Sequence, residues 1–157
     1  MTPDEIAGLL DQYRAGIEAE LALLRQMADV AKDQRQATQN SDFSALGQIA
    51  DARDRIMRSL VTIEEGLRSV RQALVDHRQL ATAIPGYEEV ARRHREAATL
   101  VSHILATDQQ SMADLANAEL ARRSAVAGLE RGETTLAAYR RVLSPPVASA
   151  KLVDKIG

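Results

Sequence analysis

Residues 2–31 read TPDEIAGLLDQYRAGIEAELALLRQMADVA, and this stretch decides the fold class. Its apolar residues recur in steps of three and four, the spacing of one face of an α-helix: Ile6, Leu10, Tyr13, Ile17, Leu21, Leu24, Ala28 and Ala31. Thr2 can cap the free amides, and Pro3 suits the first helical position. The stretch therefore predicts an amphipathic helix over about 3–38.

A second stretch repeats this pattern. Asn40, Ser41 and Asp42 predict a turn followed by a new helix cap. The apolar stripe beyond them consists of Leu46, Ile49, Ile56, Leu60, Ile63, Leu67, Val70 and Leu74. Because a proline disfavours helix at the residue before it, Ile84-Pro85-Gly86 ends this helix. We predict a second helix over about 42–82.

A third helix is predicted over about 87–143, where Ser144, Pro145 and Pro146 end it. Its stripe consists of Val90, Ala97, Val101, Leu105, Met112, Leu115, Val126, Leu129, Leu136 and Leu143. Residues 144–157 show no helical period and are predicted to form a flexible, Pro-containing tail.

Composition supports an all-α fold, since 27 of the 157 residues are alanine and only four are aromatic. We expect an elongated antiparallel three-helix, coiled-coil-like bundle that forms one domain over 1–143. At about 1.5 Å per residue the third helix measures roughly 85 Å, against roughly 50 and 60 Å for the others. Its last turns then lack neighbours and must fold back, dimerise or bind a partner.

Charge and composition exclude several function classes. The net charge is −2, which gives no electrostatic footprint for nucleic acid. The absence of cysteine excludes disulfides, thiolate nucleophiles and cysteine metal sites. No window approaches 18 uninterrupted apolar residues, and the acidic start with Pro3 does not fit a signal peptide. We expect a cytoplasmic protein without membrane insertion.

No catalytic or metal motif is found. None of His77, His94 and His103 has a ligand partner at metal-binding spacing, so we predict no metal, no cofactor and no enzymatic activity. Adjacent acids such as Glu64-Glu65 and Glu88-Glu89 diverge around a helix and are interpreted as solvated. The basic runs 92–95 and 122–123 have glutamates within helical reach, and we expect ion pairs there rather than a nucleic-acid site.

Three stretches carry a resemblance to a known family. They are DFSALGQIADARDRIMRSL at 42–60, ILATDQQS at 104–111, and LERGETTLAAYR at 129–140, the last followed by a tail that ends LVDKIG at 152–157. In order and spacing they resemble the FlgN-like flagellar export chaperones, in which the basic residue corresponding to Arg53 interrupts the stripe of the second helix. The long stem of Arg53 could also lie across the stripe while its charge reaches water.

The resemblance implies a cytoplasmic type III export chaperone of the flagellar system. Such a protein binds hook-filament junction (hook-associated) proteins, prevents their premature assembly and delivers them to the export gate. The client-binding residues would be Val126, Leu129, Leu136, Tyr139, Val142 and Leu143. Tyr139 resembles the family's gate-docking tyrosine, although Glu133, Thr134 and Thr135 stand where relatives have a basic run.

Two alternatives stay open. The same apolar end could instead make the chain a self-associating coiled-coil adaptor or structural protein. The chain could also be a related flagellar or secretion chaperone that binds a different client. The sequence is compatible with a monomer or a homodimer.

Overall fold

The computed structural model describes the backbone of residues 1–143 and the side chains of residues 1–132. Within that part the chain is helical throughout, with α1 at Pro3–Gln39, α2 at Phe43–Asp76, a short α3 at Arg78–Ala83 and α4 at Tyr87–Leu143. The all-α prediction is confirmed. By its contacts the chain divides into two compact units, Met1–Met112 and Ala113–Gly157.

The predicted helix starts are confirmed in atomic detail. The Thr2 hydroxyl accepts the Glu5 backbone N–H at 3.3 Å, and the Glu5 carboxylate accepts the Thr2 N–H at 2.7 Å. These hydrogen bonds from Thr2 lower the pKa of Glu5. At α2 the Asp42 carboxylate accepts the Ala45 N–H at 3.1 Å. Both caps accept hydrogen bonds from backbone amides of the first helical turn, which have no acceptor within the helix.

The second predicted helix is wrong in one respect, because the structure divides 42–82 at His77. The backbone of His77 leaves helical geometry at φ −110° and ψ 34°, and α3 begins at the next residue. The break redirects the chain so that α3 contacts α1 and Ala81 is fully buried. Ile84 is extended and Gly86 has φ 91°, a left-handed conformation that suits glycine, so the predicted break there is confirmed.

In residues 1–112 the core lies between α1, α2 and the first part of α4. The α1 stripe is buried as predicted, with Met27 rather than Ala28 fully covered. Gly16 of α1 lies against Leu67 of α2, and a Cβ on Gly16 would come within 2.5 Å of the Leu67 side chain. The glycine thus allows α1 and α2 to approach closely.

Helix directions follow from side-chain pairs within residues 1–112. Gln34 lies near Arg53 while Gly16 lies near Leu67, so α2 runs antiparallel to α1. Tyr13 contacts His94 near the start of α4, and Ile104 further along shares a core cluster with Ala31 near the end of α1. This part of α4 therefore runs parallel to α1.

The predicted stripe of the third helix is wrong beyond Ala97. The buried positions are Val90, Ala97, Ile104 and Ser111, at a strict seven-residue spacing. Val101, Leu105 and Met112, which we expected in the stripe, are exposed. Leu105 and Met112 each follow a buried residue, so they lie about 100° further around the helix and outside the contact with α1 and α2.

Candidate functional site

The residues predicted to bind a client fall on α4 after residue 112. Leu129 is 73% exposed and Val126 is half-buried. Leu136, Tyr139, Val142 and Leu143 lie on the backbone of α4, but their side chains fall outside the described residues. Of the two predicted residues whose side chains are described, Leu129 is thus the exposed one.

Two further exposed leucines lie on the same part of α4 and were not assigned to the site from sequence. Leu115 is 43% exposed and Leu120 is 64% exposed. Leucines at this exposure present apolar surface to solvent, and several of them within fifteen residues of one helix are typical of a helix that binds another apolar surface. We call Leu115, Leu120, Val126 and Leu129 the distal apolar set.

A charged cluster interrupts the distal apolar set. The Glu119 carboxylate accepts hydrogen bonds from Arg122 at 2.9 and 3.0 Å and from Arg123 at 3.1 Å. Arg122 and then Arg123 hold the pKa of Glu119 down, at about 2. The ion pairing predicted for this basic run is confirmed, and Arg93 similarly pairs with Glu89 at 2.9 Å and with Glu18 at 3.3 Å.

Within residues 1–112 the packed helices enclose a polar network that sequence reasoning missed. Arg71 donates two hydrogen bonds of 2.9 Å to the Glu64 carboxylate, and its guanidinium lies 5.7 Å from the centre of the Tyr13 ring. The Tyr13 hydroxyl and His94 Nδ1 are 2.9 Å apart. Glu20, which is 5% exposed, lies beside Glu64.

The pKa values of the two acids in this network are shifted in opposite directions. Burial and the neighbouring Glu64 raise the pKa of Glu20 to about 8, because the charged form is desolvated beside another carboxylate. Hydrogen bonds from Arg71 lower the pKa of Glu64 to about 2. Burial thus favours the protonated form of Glu20, while the contact with Arg71 favours the charged form of Glu64. Glu64, interpreted from sequence as solvated, is half-buried and paired.

Arg53 takes part in a second polar contact. Its guanidinium donates hydrogen bonds of 2.7 and 2.8 Å to the Asp108 carboxylate and one of 2.8 Å to the Gln34 amide oxygen. These partners, which α1 and α4 supply, were not predicted from the sequence, while the Arg53 side chain keeps 22% of its surface exposed. A side chain at this position gives no sequence signal for its partner, which is 55 residues away.

Among residues 1–132, no group of three or more His, Asp or Glu side chains is placed to hold a metal ion. The described helices include none that is long and apolar enough to cross a membrane. The polar network links α1, α2 and α4 through paired groups, and its contacts are those of a helix interface.

No protein-family model, no curated protein sequence and no solved structure matches this chain.

Proposed function

We propose that this protein is an export chaperone of the flagellar type III system, which binds hook-associated proteins in the cytoplasm, prevents their premature assembly and delivers them to the export gate. The observation that carries the proposal is the exposure of the distal apolar set on α4. An amphipathic helix of the client would lay its apolar stripe on Leu115, Val126 and Leu129, which share one face of α4, and on the predicted residues at 136–143. No catalytic step is part of this function.

A contact between two stretches of the resemblance supports the same proposal. Arg53 belongs to the stretch 42–60, Asp108 belongs to 104–111, and the two side chains form a bidentate pair. Arg53, the basic residue that interrupts the apolar stripe of α2, thus neutralises Asp108 in the polar stretch of α4. The architecture we propose with it is an antiparallel three-helix bundle of α1, α2 and α4.

Client binding is tested by hydrogen exchange across 126–157, with and without a C-terminal peptide of a hook-associated protein. We expect added protection in this range, because a bound helix would cover backbone and side chains there. Unchanged exchange at 126–157 alongside saturable binding of the peptide would place the site elsewhere and reject our assignment.

A matched pair of variants sharpens the test. Leu129→Glu puts a charge into the proposed surface, whereas Leu105→Glu puts one at an exposed leucine of α4 within residues 1–112. We expect peptide affinity to fall at least about tenfold for Leu129→Glu and to stay within about twofold for Leu105→Glu, since burying an unpaired charge is costly. Equal effects of the two variants would argue against a localised surface.

Self-association through the distal apolar set is the second candidate function, and the same exposed leucines favour it. Sedimentation of the full chain against a chain truncated after Ala125 separates the two functions. A dimer lost on truncation supports an adaptor, and a monomer in both cases supports a client site. Co-purification of the client from the protein's own cell identifies which chaperone type it is, including one with a different client.

A further inference from the structure

A cleft of about 390 Å³ lies between α1, α2, α3 and the first part of α4, far in sequence from the distal apolar set. Its walls are mostly apolar, formed by aliphatic residues that include Leu10, Leu74 and Val90 together with Tyr13 and Tyr87. This volume and this apolar lining are typical of sites for small molecules. The proposed chaperone function does not use the cleft.

The charged residues of the cleft all have one sign. Arg71, Arg78 and Arg95 line it together with His94, and no carboxylate does. Arg71 is compensated by its bidentate contact with Glu64. Arg78 and Arg95 form no ion pair with any described residue, so the cleft has two uncompensated positive charges beside an apolar floor.

His94 adds an oriented polar group. Its Nδ1 is engaged with the Tyr13 hydroxyl at 2.9 Å, and Tyr13 is itself buried. The contact fixes the ring and leaves Nε2 as the nitrogen that a ligand could reach. An apolar cleft with two free guanidiniums and an oriented imidazole is complementary to a molecule with an apolar body and an anionic head.

We propose that this cleft binds a small amphipathic anion, specifically a medium-length acyl chain with a carboxylate head. The acyl chain contacts Leu10, Leu74 and Val90, and the carboxylate lies between Arg78 and Arg95. The aliphatic walls supply most of the affinity, since apolar area removed from water is the larger contribution. The arginines select the sign of the head group, and their contribution weakens with salt.

The test titrates decanoate, below its micelle concentration, into the full chain and follows backbone amides by NMR. We expect saturable shifts centred on 90–95 and on 74–78. Decanol and decyltrimethylammonium have the same chain without the negative charge, and we expect both to bind more weakly than decanoate. Acetate has the head without the chain and should not bind in the same range.

Two pairs of variants locate the site. Arg78→Gln with Arg95→Gln removes the free charges, and we expect about a tenfold loss of decanoate affinity. Arg68→Gln with Arg92→Gln changes two exposed arginines of α2 and α4 outside the cleft and should change affinity less than twofold. Ala91→Leu fills the cleft and should abolish binding, whereas Ala98→Leu, one heptad later at an exposed position, should not.

Three results would overturn the proposal. They are the absence of saturable binding, equal affinity for decanoate and decyltrimethylammonium, and shifts centred on 113–132. The last would show a nonspecific apolar contact with the distal apolar set. The first two results say nothing about client binding on α4 beyond residue 112, so this proposal and the proposed function can fail independently.

Discussion

The stripe of α1 and the distal apolar set of α4 have similar apolar residues but opposite surroundings. Ile6, Leu10, Ile17 and Leu21 of α1 are at most 1% exposed, whereas Leu120 and Leu129 of α4 are more than half exposed. The polar groups differ in the same way, since Glu20 is buried beside Glu64 while Glu119 pairs with arginines at the surface. Similar residues therefore stabilise the fold in one region and remain available for binding in the other.

The largest difference in stability between the two regions is expected when a leucine is truncated to alanine. Leu21→Ala should lower the free energy of unfolding by about 2–5 kcal/mol, because it removes buried methyl groups and leaves a cavity. Leu129→Ala should change it by no more than about 0.5 kcal/mol, since the side chain is already in water. Urea unfolding followed by circular dichroism measures both. A comparable loss for Leu129→Ala would mean that this leucine is covered in solution.

The second prediction concerns the pH dependence of stability. The pKa of Glu20 is about 8 in the folded protein, above its ordinary value of 4.5, so the folded state holds a proton that the unfolded state has lost. Stability should therefore fall as pH rises from about 5 to 8, because deprotonation is more costly in the folded state than in the unfolded state. Glu20→Gln should remove this fall, since an amide does not titrate in this range and has nearly the same size as the carboxyl group.

Glu119→Gln is the matched control for that experiment. The pKa of Glu119 is lowered by Arg122 and Arg123, so any contribution it makes is present above about pH 4.5 and is lost as pH falls towards 2. Glu119→Gln should therefore leave the pH dependence of stability between pH 5 and 8 unchanged. Chemical denaturation at a series of pH values separates the two windows, and a persistent fall in Glu20→Gln would assign the titration to another group.

How far sequence alone could go differs between these helices. The α1 stripe was largely predictable because large apolar residues occupy most of its buried positions, although Met27 is covered in place of Ala28. In α4 apolar residues also stand beside the seam, as Leu105 does next to Ile104, and the seam itself contains Ser111. Periodicity could not choose between registers one residue apart; packing on α1 and α2 decides it.

The functional residues show a similar limit. The exposure of Leu129 was predictable from helix lengths, because the helix at 87–143 is much longer than either α1 or α2. The contact of Arg53 with Asp108 and the burial of Glu20 beside Glu64 were not, since each pairs residues on different helices whose relative register only tertiary packing determines. For the same reason the cleft between α1, α2 and α4 has no sequence signature.

The third prediction compares the two ion pairs by double-mutant cycles. Arg53 and Asp108 are about three-quarters buried and bidentate, so Arg53→Gln and Asp108→Asn should show a coupling energy of about 1–2 kcal/mol. Arg122→Gln and Glu119→Gln should show none that is measurable, because water screens that pair. Urea unfolding of the singles and doubles gives both couplings. Equal couplings would mean that burial does not distinguish the pairs.

The smallest effect is expected for two glycines, and it has opposite signs in the two regions. Replacing glycine by alanine in a helix interior raises the free energy of unfolding by about 0.5–1 kcal/mol, because glycine loses more backbone entropy on folding. At Gly16 the added Cβ meets Leu67 at 2.5 Å, so Leu67 must move within a packed interface and overpacking outweighs the gain. Gly16→Ala should therefore destabilise the protein by about 1 kcal/mol.

A Cβ added at Gly128 would have no atom within 4 Å, so Gly128→Ala should give the full stabilisation expected for alanine. Circular dichroism should show increased helicity. Gly8 is equally open but lies in α1, which makes it the control for position within a packed helix. If Gly8→Ala stabilises while Gly16→Ala destabilises, the loss comes from the contact with Leu67 and not from α1 itself. Stabilisation by Gly16→Ala would instead show that Leu67 can move at little cost, and that α1 and α2 do not need a glycine to approach as they do.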